Sequence, residues 1–176
     1  HPASMAMFLC EVTWWAHRNL WHLIFGGVME RHPTLQFVFT EQGTEWLPDE
    51  ITRLGHYHAR MSATSGGGTQ EAIFGGELMA SLSLTPAEYW QRQCQLGSSF
   101  VRRHEVHMRE QVGVDKIMWG SDYPHLEGCW PYSREHYRLA FAGVPTDEVR
   151  AMLGTNAARV YGFDLEALAP LAAEHG

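Results

Sequence analysis

Three short runs punctuate the chain: LQFVFTE at Leu35–Glu41, CQLGSSF at Cys94–Phe100 and DKIMWGS at Asp115–Ser121. The first is dense in β-branched and aromatic residues and reads as a buried strand; the second, with its Gly and Ser, is the weakest of the three. Between them lie stretches of helical character, ITRLGHYHARM and TPAEYWQRQ before the second run and RRHEVHMREQVG before the third. Strands separated by helices cannot be joined as hairpins. They pair in parallel through right-handed crossovers, so the expected class is α/β with about three parallel strands and flanking helices.

The remaining elements are set by caps and breakers. Ser4 is placed to cap a helix through MAMFLCEVTWWAH, and a second helix, LWHLIFGGVMERH, ends before Pro33. Gly26 and Gly27 are poor helix formers, and their expected use is close packing against another element. Thr85 and Pro86 open a helix as cap and first residue. SREHYRLAF, PTDEVRAMLG (with Thr146 as cap) and TNAARVYGF read as helices. Residues 62–84 contain SGGG and read as a long loop, and residues 163–176 as a surface tail. The whole, residues 1–176, is expected to be one domain. Three strands leave the apolar side chains of Trp14, Trp15, Trp21 and Phe25 in need of cover.

Composition narrows the function classes. Among 176 residues, 45% are hydrophobic and 19% charged, which suits a folded chain with a sizeable core. The net charge of -7, without a basic patch, argues against nucleic acid as partner. The most apolar segment, Met7 to Met29, is broken by Glu11, His17, Arg18, Asn19 and His22, so a buried helix pair is expected there rather than a membrane span, which needs about 20 mostly apolar residues. Cys10, Cys94 and Cys129 make no CxxC and read as buried small apolar residues. That usage fits a reducing compartment, and a cytoplasmic location is expected.

The chemistry concentrates at the ends of two runs. Ligands of parallel α/β folds bind at the carboxyl ends of the strands, where Glu41 and Asp122 fall. Each is a carboxylate able to ligate a metal, move a proton, or merely cap the next turn or helix. Asp122 has the richer surroundings, SDYPHLEGCWP: Pro124 fixes the chain direction, His125 and Glu127 bring two polar groups to the same rim, and Pro131 closes the loop. The other histidines carry less. His56 and His58 lie about 200° apart on a helix, and His104 and His107 sit among Arg102, Arg103, Glu105, Arg109 and Glu110 on a solvated face. No G-x-G-x-x-G, G-x-x-x-x-G-K-[ST] or G-x-S-x-G motif occurs.

FVFTEQGTEWLPD, DKIMWGSDYPHLEGCWP and LGTNAARVYGFD together resemble the carboxyl-terminal half of amidohydrolase-related proteins, and are similar to the branch of aminocarboxymuconate-semialdehyde decarboxylase. The resemblance runs from about Ser4 to Ala172. It implies the carboxyl-terminal portion of a (β/α)8 TIM-like barrel, with the three runs as its sixth, seventh and eighth strands. A whole barrel takes about 250 residues. The chain begins His1-Pro2 without an initiator Met and shows no H-x-H strand or fifth-strand His to complete the family's metal site. It is therefore expected to be a fragment, although a complete degenerate protein is left open.

By the same resemblance, Asp122 is the eighth-strand metal ligand and catalytic base. Glu41 stands where the family often has a catalytic His, and becomes a second acid–base or substrate-orienting group. His125, Trp46 and Tyr123 are expected to contact substrate. The implied cofactor is a divalent metal, zinc foremost. The implied function is metal-dependent hydrolysis of a C–N or C–O bond in a small organic substrate, with metal-dependent decarboxylation as the alternative. A third reading, of another class, is a non-catalytic half-barrel whose open edges and Trp-rich helix pair with another chain, a homo-oligomer included.

Overall fold

The computed structural model describes residues 1–63 and 70–175. The chain forms two compact units, His1–Gln42 with Trp46–Cys94, and Gly43–Glu45 with Gln95–Gly176. The three strands fall where the sequence places them: β1 at Phe37–Thr40, β2 at Cys94–Ser99 and β3 at Ile117–Gly120.

The first unit opens with one 24-residue helix, Pro2–Phe25, where two were expected. Nothing between His17 and Leu20 breaks helix geometry; Asn19 is only a mildly poor helix former. The cap is also different. His1 Nδ1, not Ser4, accepts the Ala3 amide at 3.2 Å, with Pro2 preset for the first turn. Gly27 adopts φ +68°, the left-handed conformation that lets one helix stop and Val28–Arg31 begin, so this glycine serves the junction between two helices. The first fifteen residues are exposed, Cys10 among them, contrary to the expectation of burial. Trp14 and Trp15 meet edge to face at 4.8 Å, with the Arg18 guanidinium over both rings.

The core of this unit is aromatic. Phe39 of β1 lies 6.0 Å from Trp46 and 5.7 Å from Trp90, and the two indoles meet edge to face at 6.2 Å. The His17 ring stacks on Trp46 at 3.9 Å. Burial pushes the His17 pKa below the usual imidazole value; Gln42 and Glu50 partly offset this. Thr85 forms the expected capping box: Glu88 Oε2 accepts the Thr85 amide at 2.7 Å while Thr85 Oγ1 accepts that of Glu88. The Glu30 carboxylate accepts hydrogen bonds from Tyr89 and Ser83, which hold its pKa below the carboxylate range.

The expected loop over residues 62–84 is corrected in its centre. Residues 64–69 lie outside the described residues, but Gln70–Ala80 is a helix. Two glycines within it weaken helix propensity by about 1 kcal/mol each. Tertiary contact compensates, because a Cβ on Gly75 would meet Met61 Sδ at 2.6 Å: the glycine is what allows this helix to approach Trp46–Ser62 so closely.

The second unit carries the parallel ladder. Leu96 pairs with Ile117, Gly97 with Met118, Ser98 with Trp119 and Ser99 with Gly120. Gly113, at φ +104°, ends the polar helical stretch and turns the chain into β3. A π-helical turn, Ala151–Thr155, then presents Asn156. Its amide donates to Val114 O and Ile117 O, both at 2.8 Å, and pins the start of β3 from beneath. Thr146 lies in the first turn of its helix, with Pro145 rather than Thr146 at the cap position. The tail is an exposed helix, Leu165–His175, capped by Asp164 Oδ1, which accepts the Glu166 and Ala167 amides.

Candidate functional site

Among the described residues, three other than glycine have positive φ: Glu41 (+56°), Phe100 (+37°) and Asp122 (+61°). Each lies one or two residues beyond the carboxyl end of β1, β2 or β3. That region is disfavoured for side chains with a Cβ, less so for Asp, and such strain gathers at functional positions. Two of the three, Glu41 and Asp122, are the strand-end carboxylates singled out in the sequence.

At the end of β3 the chain turns back on itself. His125 N donates to Asp122 O at 2.8 Å, Gly128 N to His125 O at 3.0 Å, and Cys129 N to Ser121 O at 3.1 Å, which closes the loop. Gly128 makes this tightness possible: a Cβ there would stand 2.7 Å from Ser121 O, 3.0 Å from Asp122 O and 3.1 Å from His125 O. All three are backbone atoms of the loop itself. The Tyr123–Pro124 and Trp130–Pro131 peptides are cis, and the Tyr123 and Trp130 rings meet at 5.2 Å on the exposed face.

The folded loop gathers three donors. His125 Nδ1 lies 3.0 Å from Asp122 Oδ2 and 3.4 Å from Glu127 Oε1. The ligand atoms of the three residues all fall within 4.8 Å of one another. The Asp122 side chain is only 12% exposed, whereas His125 and Glu127 are 58% and 68% exposed. Ionised carboxylates only accept, so the nitrogen between the two must carry the proton. Two carboxylates and an imidazole form a mixed O/N set of the kind that holds zinc or a similar divalent ion, and seating one among these three atoms displaces the Nδ1 proton. The residues present therefore fit a metal.

The sequence placed Asp122, His125 and Glu127 on one rim but assigned no metal-ligating role to His125 or Glu127; the i, i+3, i+5 spacing beyond a strand was the available signal. Gly128 was missed, although a glycine between two turn segments was visible. Glu41 is exposed at the end of β1 in the first unit. Trp46, in the same unit, is engaged with His17, Phe39 and Trp90. Among the described residues no helix is long and apolar enough to cross a membrane.

A family model described as Amidohydrolase matches residues 17–163. The crystal structure of 5-carboxyvanillate decarboxylase LigW from Sphingomonas paucimobilis is similar at TM-score 0.60 and 26% identity, over 81% of this chain and 38% of that one. The crystal structure of amidohydrolase map2389c from Mycobacterium avium subsp. paratuberculosis is similar in fold at TM-score 0.61 and 23% identity, over 85% of this chain and 34% of that one. This chain thus spans little more than a third of the length of either. No curated protein matches it.

Proposed function

The chain belongs to the amidohydrolase family and has the fold of part of its barrel; from that premise we propose that it carries the metal-binding carboxylate of a divalent-metal-dependent hydrolase. The substrate in this reading is a small organic molecule and the broken bond C–N or C–O. The observation that carries it is Asp122, strained and nearly buried at the end of β3, with His125 Nδ1 3.0 Å from its Oδ2.

Asp122, His125 and Glu127 would hold the ion, zinc by the donor chemistry. A bound divalent cation supplies Lewis acidity, polarising a carbonyl oxygen and making water acidic enough to lose a proton near neutrality. Asp122 would also serve as the base for such a water, the role the resemblance assigns it, with the His125 imidazole 3.0 Å from its carboxylate. Tyr123, exposed on the same loop, contacts substrate in this reading; Glu41 and Trp46 keep only the roles that the resemblance implies for them, a second acid–base or orienting group and a substrate contact. In this reading the activity belongs to a complete barrel, and this chain by itself is expected to be inactive. A reducing, cytoplasmic setting is part of the same reading, from the cysteine usage of the sequence.

One observation favours a second reading. The 26%-identical structure is a decarboxylase. On that reading the same carboxylate and imidazole orient a carboxylated substrate while carbon dioxide leaves.

The test is to reconstitute the chain with a segment that supplies preceding barrel strands, then measure bound zinc and turnover on amide, ester and aryl carboxylate panels. Asp122→Ala is expected to abolish both metal binding and turnover. Unchanged metal content and turnover overturn the assignment. Release of carbon dioxide rather than a hydrolysis product selects the second reading.

A further inference from the structure

Within the second unit a crevice of about 270 Å³ opens between the segment after β2 and the helix Ser133–Ala140. Its walls are Arg102, Arg103, His136, Leu139 and Ala140. None of these belongs to the Asp122 cluster. In a chain with 20 acidic and 13 basic residues, a crevice walled by two guanidiniums and an imidazole runs against the average. Among the described residues, no carboxylate lines it.

Local bonding explains how the cations are kept there. The nearest acid in sequence, Glu105, is buried and turned inward, its Oε2 accepting the Arg102 amide at 2.7 Å. That oxygen is spent on the backbone, and among the described residues no ion pair joins Glu105 to either guanidinium. Arg103 donates Nη1 to Leu139 O at 3.2 Å, which fixes its fork on the wall with the other N–H groups left over. His136 Nε2 lies 3.1 Å from Val101 O. A carbonyl only accepts, so that nitrogen carries the proton and the ring orientation is set. The Arg102 guanidinium makes no ion pair or hydrogen bond among the described residues. By contrast, Arg53, Arg60 and Arg109 each face a carboxylate.

Adjacent guanidiniums without a counter-charge repel one another, and planar forks of this kind match the oxygens of carboxylate and phosphate groups. We propose that the crevice of Arg102, Arg103 and His136 is a binding site for a small oxyanion, a carboxylate or phosphate group, separate from the Asp122 cluster.

Calorimetric titration of the full chain at fixed ionic strength, with inorganic phosphate in one arm and benzoate in the other, tests this. Saturable binding is expected, on the order of 1 mM for so open a site. Arg102→Gln, at an exposed residue, and Arg102→Gln/Arg103→Gln should weaken it about tenfold or more while leaving the thermal midpoint in place. The His136 ring resonances should move with the same titration. Phosphate binding alone identifies a phosphate site, and binding of both probes a general oxyanion site. Absence of saturable binding by either probe, or binding indifferent to both variants, overturns the proposal.

Discussion

His125 Nδ1 lies 3.0 Å from Asp122 Oδ2, three residues upstream, and 3.4 Å from Glu127 Oε1, two residues downstream. A single imidazole therefore bridges the half-hidden carboxylate of a strand end and an exposed one on the loop. Removing it should be felt by any ion the cluster holds. Asp122→Asn is expected to abolish zinc binding to the chain. His125→Ala should weaken it about 10–100-fold, and Glu127→Gln less, because that side chain is the most exposed of the three. Titration calorimetry with zinc, repeated at lower pH where ligands compete with protons, reads the order; equal affinities across the set would refute it.

Gly128 holds the loop closed by having no side chain. Gly128→Ala places a Cβ 2.7 Å from Ser121 O, with Asp122 O and His125 O also in the way. Relieving that overlap requires the loop backbone to move, at about 1–3 kcal/mol by analogy with overpacked cores. A lower urea midpoint and a changed His125 proton resonance are expected. An unaltered spectrum would show that the loop is looser than these distances imply.

Asn156 is 5% exposed and donates to both Val114 O and Ile117 O at 2.8 Å. Asn156→Leu keeps the bulk and leaves two carbonyls without donors. The expected loss is about 2–4 kcal/mol, one buried unsatisfied acceptor contributing about 1–3 kcal/mol. Chemical denaturation measures it. Zinc affinity should fall in parallel, because Asn156 anchors the strand that ends at Asp122.

His17 supplies a pH dependence. Its folded pKa lies below 6.5, chiefly from burial, so between that value and 6.5 the unfolded chain binds more protons than the folded one. Stability should be unaffected by this group above 6.5 and fall as pH drops from 6.5 toward the folded pKa. His17→Phe, which retains a ring against Trp46, should flatten that part of the stability profile. Parallel profiles for variant and parent would remove His17 as the cause.

Much of the architecture was legible because it rests on local pattern. Strand runs between helices dictated the α/β class, and the crossover rule made the β2–β3 ladder parallel. The Thr85–Pro86 start and the Gly113 stop were read from single residues whose backbone preferences are strong. The helix at Gln70–Ala80 was not legible. Its two glycines argue locally against a helix, and they are outweighed by packing on Met61, a residue outside the segment. The unbroken helix at Pro2–Phe25 escaped for a milder reason: the polar residues His17, Arg18 and Asn19 suggested a break, but none of them is a strong helix breaker, and the cap falls on His1, three residues before Ser4.

The sequence by itself determined the three strands and the placing of Asp122 at a strand mouth, because hydrophobic period and turn residues act over a few neighbours; the family followed from the resemblance of its motifs. Only the tertiary structure decided that His125 and Glu127 converge on that carboxylate. Convergence depends on Asp122 adopting φ +61°, on Cys129 N reaching back to Ser121 O, and on Gly128 leaving room for three backbone oxygens. Those are relations among atoms that meet only once the loop has closed, and no residue's own preference encodes them.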